Sequence, residues 1–339
     1  NFRLVMEDSE LNPLVVHCYY AIFATLTLST NGLLIYLIIY KSPNIVRSLK
    51  AMLISICTMQ ILTALTAAFL QGRMIASASS TAIISESPLR MFGPMAGLIA
   101  SGIMNASTYY IELSIAHTVF WRYRMLQSRQ MNKAELLLSF AMIVIWPLLI
   151  LVLPLIGSSQ FDMEDVIRSH RNYNLERYGE FGGYEAKSLY LTICTFIGTA
   201  ISITSPILIL CLRRLILKTF KNLNHQYTEK TVQSSKMYLK ALTMQAMLPI
   251  LGIVPTSLLS ALAWARGAEA PISEYLRMCI PTLLCVINPL ITFYFVPLYR
   301  AWVFKKLCKR STPIKAESMT SKSIAPNHTL KAPVITPVE

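Results

Sequence analysis

The chain has 339 residues, 54% of them hydrophobic and 14% charged, with a formal net charge of +14. A water-soluble globular chain carries about 25% charged residues. Here the apolar residues fall in long blocks, which excludes one large aqueous core and indicates a polytopic membrane protein.

The first residue is Asn, and no cleavable signal pattern precedes the first apolar block, which is expected to act as its own insertion signal. Residues 1–13 are short and acidic. Seven apolar blocks follow, at about 14–40, 51–70, 94–121, 136–156, 188–212, 239–264 and 275–298. Each can cross a hydrocarbon layer of about 30 Å at 1.5 Å per residue. Between them, 71–93 reads as a Ser-rich loop and 157–187 as a long polar loop. Residues 299–310 read as a juxtamembrane amphipathic helix. Residues 311–339 are rich in Ser, Thr, Pro and Lys and read as a disordered cytoplasmic tail.

Orientation follows from charge on alternating connections. One face collects 22 Lys or Arg against four acids, and the other has nine Lys or Arg against twelve acids. Basic residues concentrate on the cytoplasmic side, so the tail is expected inside and the N-terminus outside. The surplus charge thus reads as membrane topology and contact with anionic inner-leaflet lipid, not as nucleic-acid binding. The odd number of blocks and the lack of matching halves argue against an inverted-repeat transporter.

Enzymatic chemistry finds no support. The chain has five histidines, of which only His17 and His117 can lie at membrane depth, so a three-His zinc site is not available. No GxSxG or HExxH motif occurs. The seventh block contains no lysine for a retinal Schiff base. No metal or cofactor is expected. The seven cysteines show no CxxC spacing and read as packed small residues. Cys308, in a basic stretch past the last block, is a palmitoylation candidate.

Glu112 is the acid placed well inside a block, about 13 Å from its inner boundary. It reads either as a ligand anchor or latch, or as a hydrogen-bonded packing residue. His117 lies about 140° round the same helix and does not share its face. Tyr109 and Tyr110, one turn from Glu112, join Trp264 and Tyr275 as candidates for an aromatic ligand pocket. Interfacial anchoring explains Trp264 and Tyr275 equally well. Pro249, Pro255 and Pro289 are expected to bend the last two helices and free backbone carbonyls near the bundle axis.

Several segments are more specific. Gln71-Gly72-Arg73-Met74-Ile75 follows the second block, and Arg122-Tyr123 ends the third. The sixth opens with Tyr238-Leu239-Lys240-Ala241-Leu242-Thr243-Met244-Gln245-Ala246-Met247-Leu248-Pro249-Ile250. Pro271-Ile272-Ser273-Glu274-Tyr275-Leu276 opens the seventh, which closes in Tyr294-Phe295-Val296-Pro297-Leu298-Tyr299-Arg300. In this order the segments resemble the nematode serpentine chemoreceptors of class delta (Srd), a family of seven-transmembrane G-protein-coupled receptors. The likeness runs from about Pro13 to Arg300.

The resemblance implies an all-α seven-helix receptor in the plasma membrane of sensory cilia, binding a small chemical stimulus and coupling to a heterotrimeric G protein. By similarity, Arg122 stands where rhodopsin-like receptors keep an arginine that contacts the G protein. Tyr123, Arg213 and Arg214 are further coupling candidates. Trp121 replaces the usual acidic neighbour, so the usual ionic latch cannot form. Asn31 matches the first-helix asparagine, and Gln60 stands about where a second-helix aspartate would be. Asn288-Pro289 matches the start of NPxxY, with Thr292 at the tyrosine position and Tyr294 two residues late. Asn31, Gln60, Pro249, Pro255, Asn288, Pro289 and Tyr294 are therefore switch or pivot candidates. The cysteines that usually tie the top of the third helix to the second outer loop are missing. The alternatives are a small-solute transporter or channel subunit, and a receptor-like protein that has lost signalling.

Overall fold

The computed structural model describes residues 6–7, 10–11, 13–41, 47–76, 80–127, 133–170, 173, 175–185, 188–222, 229–265 and 271–307. The apolar blocks are helical, because in hydrocarbon a helix satisfies its backbone polar groups within the segment. In chain order the long helices are α1 (Pro13–Lys41), α2 (Arg47–Leu70), α3 (Pro94–Leu126), α4 (Lys133–Gly157), α6 (Leu189–Asn222), α7 (Glu229–Ala265) and α8 (Pro271–Phe295). Two short helices, α5 (Met163–Ser169) and α9 (Pro297–Leu307), complete the set among the described residues.

The seven long helices form a ring in which each packs on the next and α8 closes back on α1. Helix α3 also touches α2, α6 and α7, so it runs through the middle of the bundle. That position explains its composition. It buries Ser101, Ser107, Glu112, Ser114, His117 and Thr118 against protein instead of lipid. Among the described residues five helices, α1, α2, α4, α6 and α8, carry a stretch long and apolar enough to cross a membrane by themselves.

At the inner side two helices run on beyond their apolar blocks. Helix α6 continues to Asn222 and α7 starts at Glu229. Each therefore extends about ten residues, or about 15 Å, past the apolar block. Nothing in either extension breaks a helix, and Ile216 and Phe220 of α6 pack on Tyr238, Leu239 and Leu242 of α7. The seventh helix ends at Phe295, because Pro297 has no amide to continue it and instead starts α9. Helix α9 is described over Pro297–Leu307 and starts two residues before the expected 299, while 308–310 lie outside the described residues. Tyr299 seats it in a pocket made by Leu34, Leu37 and Ile38 of α1 and Cys57 of α2.

The outer connections are more ordered than loops. A two-residue pair, β1 (Met6–Glu7) and β2 (Glu10–Leu11), precedes α1. Residues 71–93 contain the hairpin β3 (Gly72–Ala76) and β4 (Ser80–Ser85) and a 3-10 turn over Pro88–Phe92. Residues 157–187 contain α5 and β5 (Gly182–Glu185). The last three strands form one antiparallel sheet in the order β3-β4-β5, with Arg73 opposite Ile84 and Thr81 opposite Tyr184. A Cβ at Gly183 would run into the Thr81 carbonyl and the Phe161 ring, so this strand position requires glycine. Behind the sheet, Ile75, Ala82 and Ile84 pack on Val166, Tyr173, Leu175, Tyr178 and Phe181. Backbone hydrogen bonds thus join the first and second outer connections, and the six described cysteines are all free thiols. The molecule remains an α-helical bundle to which this small sheet adds an outer cap.

Candidate functional site

Arg73 on β3 fixes the cap to the bundle. Its side chain is fully buried, and Nε donates to Glu274 Oε2 at 2.8 Å at the start of α8. The Arg73 guanidinium lies 4.3 Å over the Tyr173 ring and 5.2 Å from the Tyr275 ring. Tyr173 also donates to the other Glu274 oxygen at 3.2 Å. Next to this pair, Glu86 accepts from Tyr178 at 2.7 Å and from Tyr275 at 3.1 Å. Residues from both outer connections and from α8 are held by two acids and their donors.

Beneath the cap lies a cavity of about 340 Å³ between α3, α4, α6 and α8. Asn105, Thr108 and Tyr109 line it from α3, Thr195 and Thr199 from α6, and Ile150 and Pro154 from α4. Tyr184 of β5 and Met74 of β3 form its roof, and Arg277, Ile280 and Pro281 of α8 its fourth wall. Burial pushes the Tyr184 phenol up to about 12, so it stays protonated and can donate at neutral pH. The Tyr109 ring reaches across to α6 because Gly198 there has no Cβ; one would collide with the phenol oxygen.

The sequence candidates for ligand contact separate into different places. Tyr109 is in the cavity wall. Tyr110 turns the other way, with its hydroxyl 2.6 Å from Ser55 Oγ on α2. Glu112 is buried below the cavity and accepts from Ser202 of α6 at 3.3 Å. His117 addresses Ser139 of α4 at 3.1 Å, so Glu112 and His117 face different neighbours. Tyr275 belongs to the acid network of the cap. The Trp264 side chain, Cys308 and the tail lie outside the described residues. Arg277, which the candidate set does not include, is the charged member of the cavity wall. Its sequence signal is available: a basic residue inside the seventh apolar block.

A polar thread continues inward. Pro289 frees the carbonyl of Cys285 from its helical bond, and Asn31 of α1 donates to that carbonyl at 3.1 Å. Asn288 and Thr292 meet Gln245 of α7, whose Nε2 donates to the Asn288 carbonyl at 2.8 Å and to Thr292 Oγ1 at 3.0 Å. Gln60 and Pro249 are buried, whereas Pro255 is exposed. Tyr294 is 64% exposed on the outside of α8, stacked edge-on against Phe295, so the buried tyrosine in this region is Tyr299. Pro281 is a further proline inside α8.

At the inner end the Arg122 guanidinium sits 3.7 Å over the ring of Tyr238, joining α3 to α7. Leu49, Arg122, Ile216, Phe220, Ser235 and Leu239 border a cavity of about 120 Å³ there. Tyr123 accepts from Gln127 at 2.7 Å. Arg213 is half-buried and Arg214 exposed, both within α6 and not at its end. Arg124 pairs with Glu135 of α4 at 2.9 Å.

A family profile described as "Serpentine type 7TM GPCR chemoreceptor Srd" matches residues 16–305. Serpentine receptor class delta-40 of Caenorhabditis elegans is 26% identical over 292 residues, covering 84% of this chain and 90% of that protein. Serpentine receptor class delta-59 of the same organism is 26% identical over 308 residues, covering 88% and 94%. Among solved structures, squid rhodopsin superposes with a TM-score of 0.63 over 90% of each chain at 14% identity, a likeness of fold.

Proposed function

The chain belongs to the serpentine seven-transmembrane chemoreceptor family Srd, and from that premise we propose that it binds a small stimulus beneath its outer cap and activates a heterotrimeric G protein at its basic end. It is a multi-pass membrane protein of the G-protein-coupled receptor type. The plasma membrane of sensory cilia is the proposed location. The observation that carries the reading is the roofed cavity of about 340 Å³, which has the concave shape, apolar walls and few polar groups of a small-molecule site.

In this reading the described conformation is closed at the inner end. Arg122 stacks on Tyr238 and holds α7 against α3, replacing the ionic latch that Trp121 precludes. A ligand favours the open state only by the difference of its affinities for the two states. The stacking contributes about 0.5–2 kcal/mol, within reach of a ligand that contacts α8. Helix α8 carries that bias to α7 through Gln245, Asn288 and Thr292.

The test is a second-messenger assay on cells expressing the full chain, challenged with a small-molecule panel. Thr199→Phe fills the cavity and is expected to abolish the response while surface expression persists. Arg122→Ala releases α7 but also removes the proposed G-protein contact, so it is expected to abolish the response from the other end. Responses unchanged in Thr199→Phe would move the ligand elsewhere, and responses unchanged in Arg122→Ala would remove the coupling role.

A further inference from the structure

We infer that the ligand of the outer cavity is a small organic anion whose oxyanion is held by Arg277; this rests on the cavity being the ligand site. Arg277 lies in the second turn of α8, is exposed, and is among the residues that line the cavity. Its described side-chain partner is the Met74 sulfur at 3.5 Å, a weak acceptor for a guanidinium with five donors.

The nearby acids are engaged elsewhere. Glu274, three positions earlier, accepts from Arg73 and Tyr173. Glu86 accepts from Tyr178 and Tyr275. Glu112 is bonded to Ser202 and does not reach the cavity. Among the described residues, no Asp or Glu lines the cavity, and Arg277 is its one charged side chain. A cation in the wall of a membrane bundle is costly unless it faces water or an opposite charge. The cavity supplies the first, and an anionic ligand would supply the second.

The remaining walls indicate the rest of the ligand. Ile150, Pro154, Leu191 and Ile280 offer apolar surface. Asn105 and Tyr184 add uncharged donors that a carboxylate, sulfate or phosphate ester can use. A guanidinium suits such groups because it can give two parallel hydrogen bonds to one oxyanion. A neutral or cationic molecule of the same shape would leave the guanidinium desolvated and unmatched.

The experiment compares matched probes on the detergent-solubilised full chain, with ligand-induced thermal stabilisation as the readout. The probes are linear and phenyl-substituted carboxylates, with their primary alcohols and primary amines of the same carbon skeleton. Carboxylates are expected to bind at least about tenfold more tightly than either counterpart, and Arg277→Gln to lose about tenfold to hundredfold for carboxylates alone. Arg277→Lys, which keeps the charge but not the fork, is expected to fall between. An unliganded melting profile matching the wild type shows that each variant is folded.

Alcohols or amines binding as tightly as carboxylates would overturn the inference. So would carboxylate affinity unchanged in Arg277→Gln, or no stabilisation by any carboxylate up to ~10 mM, a concentration that detects even very weak binding. Activation by neutral probes would leave the receptor reading standing without the anion site. Carboxylate binding that never promotes G-protein turnover would do the reverse.

Discussion

Arg73 and Glu274 meet across 201 positions of sequence, and each leaves a buried charge exposed to mismatch if the other is removed. Breaking one side of such a pair costs about 3–5 kcal/mol, whereas replacing both with apolar residues of similar volume is often neutral. Arg73→Met is therefore expected to lower the melting temperature and surface yield sharply, with the double change Arg73→Met, Glu274→Met recovering much of the loss. A double mutant no better than the single would deny the pairing its role. Both residues stand in segments that sequence reading singles out, but their contact depends on bringing the end of α2 beside the start of α8, which local pattern does not encode. Asn31 is a similar case. Its position was legible; its partner, the Cys285 carbonyl freed by Pro289, follows from helix chemistry once α1 and α8 are neighbours. Asn31→Ala is expected to cost about 1–3 kcal/mol by orphaning that carbonyl, read as a lower midpoint in thermal unfolding.

The helices were written plainly in the apolar blocks, because spanning length and hydrophobic run are local properties. Their inner ends were not, since α6 and α7 leave the membrane as polar helices held by contact with each other through Phe220, Tyr238 and Leu239. The outer sheet was hidden for a different reason. Residues 71–93 are Ser-rich and lack clean alternation, because both faces of β4 are covered, one by the bundle and one by the 157–187 connection. Gly183 marks where that connection crosses Thr81 at close range. Gly183→Ala is expected to destabilise the cap by about 1–3 kcal/mol through overpacking. Faster hydrogen exchange of the β4 and β5 amides, with the helices unchanged, is the measurement that checks it. The sheet also explains how the outer end stays ordered without a disulfide: five residues of β3 and six of β4 share a ladder that β5 extends.

At the scale of the whole molecule the cavity and the latch lie at opposite ends of one ring of helices. From Arg277 to Asn288 is about 16 Å along α8 at 1.5 Å per residue, and Gln245 then joins α8 to α7. From Gln245 back to Tyr238 is two turns of α7, ending under Arg122. In the proposed mechanism this stack of Arg122 on Tyr238 keeps the receptor closed, and opening it exposes the G-protein site. The direct measurement is basal nucleotide exchange on a heterotrimeric G protein by the full chain in vesicles, without ligand. Tyr238→Ala is expected to raise exchange from a few-fold to about thirtyfold, the range that about 0.5–2 kcal/mol allows. Tyr238→Phe, which keeps the ring, is expected to stay near the wild type. Exchange in Tyr238→Ala equal to or below that of the wild type, at matched protein levels, would deny the stack its role as a latch.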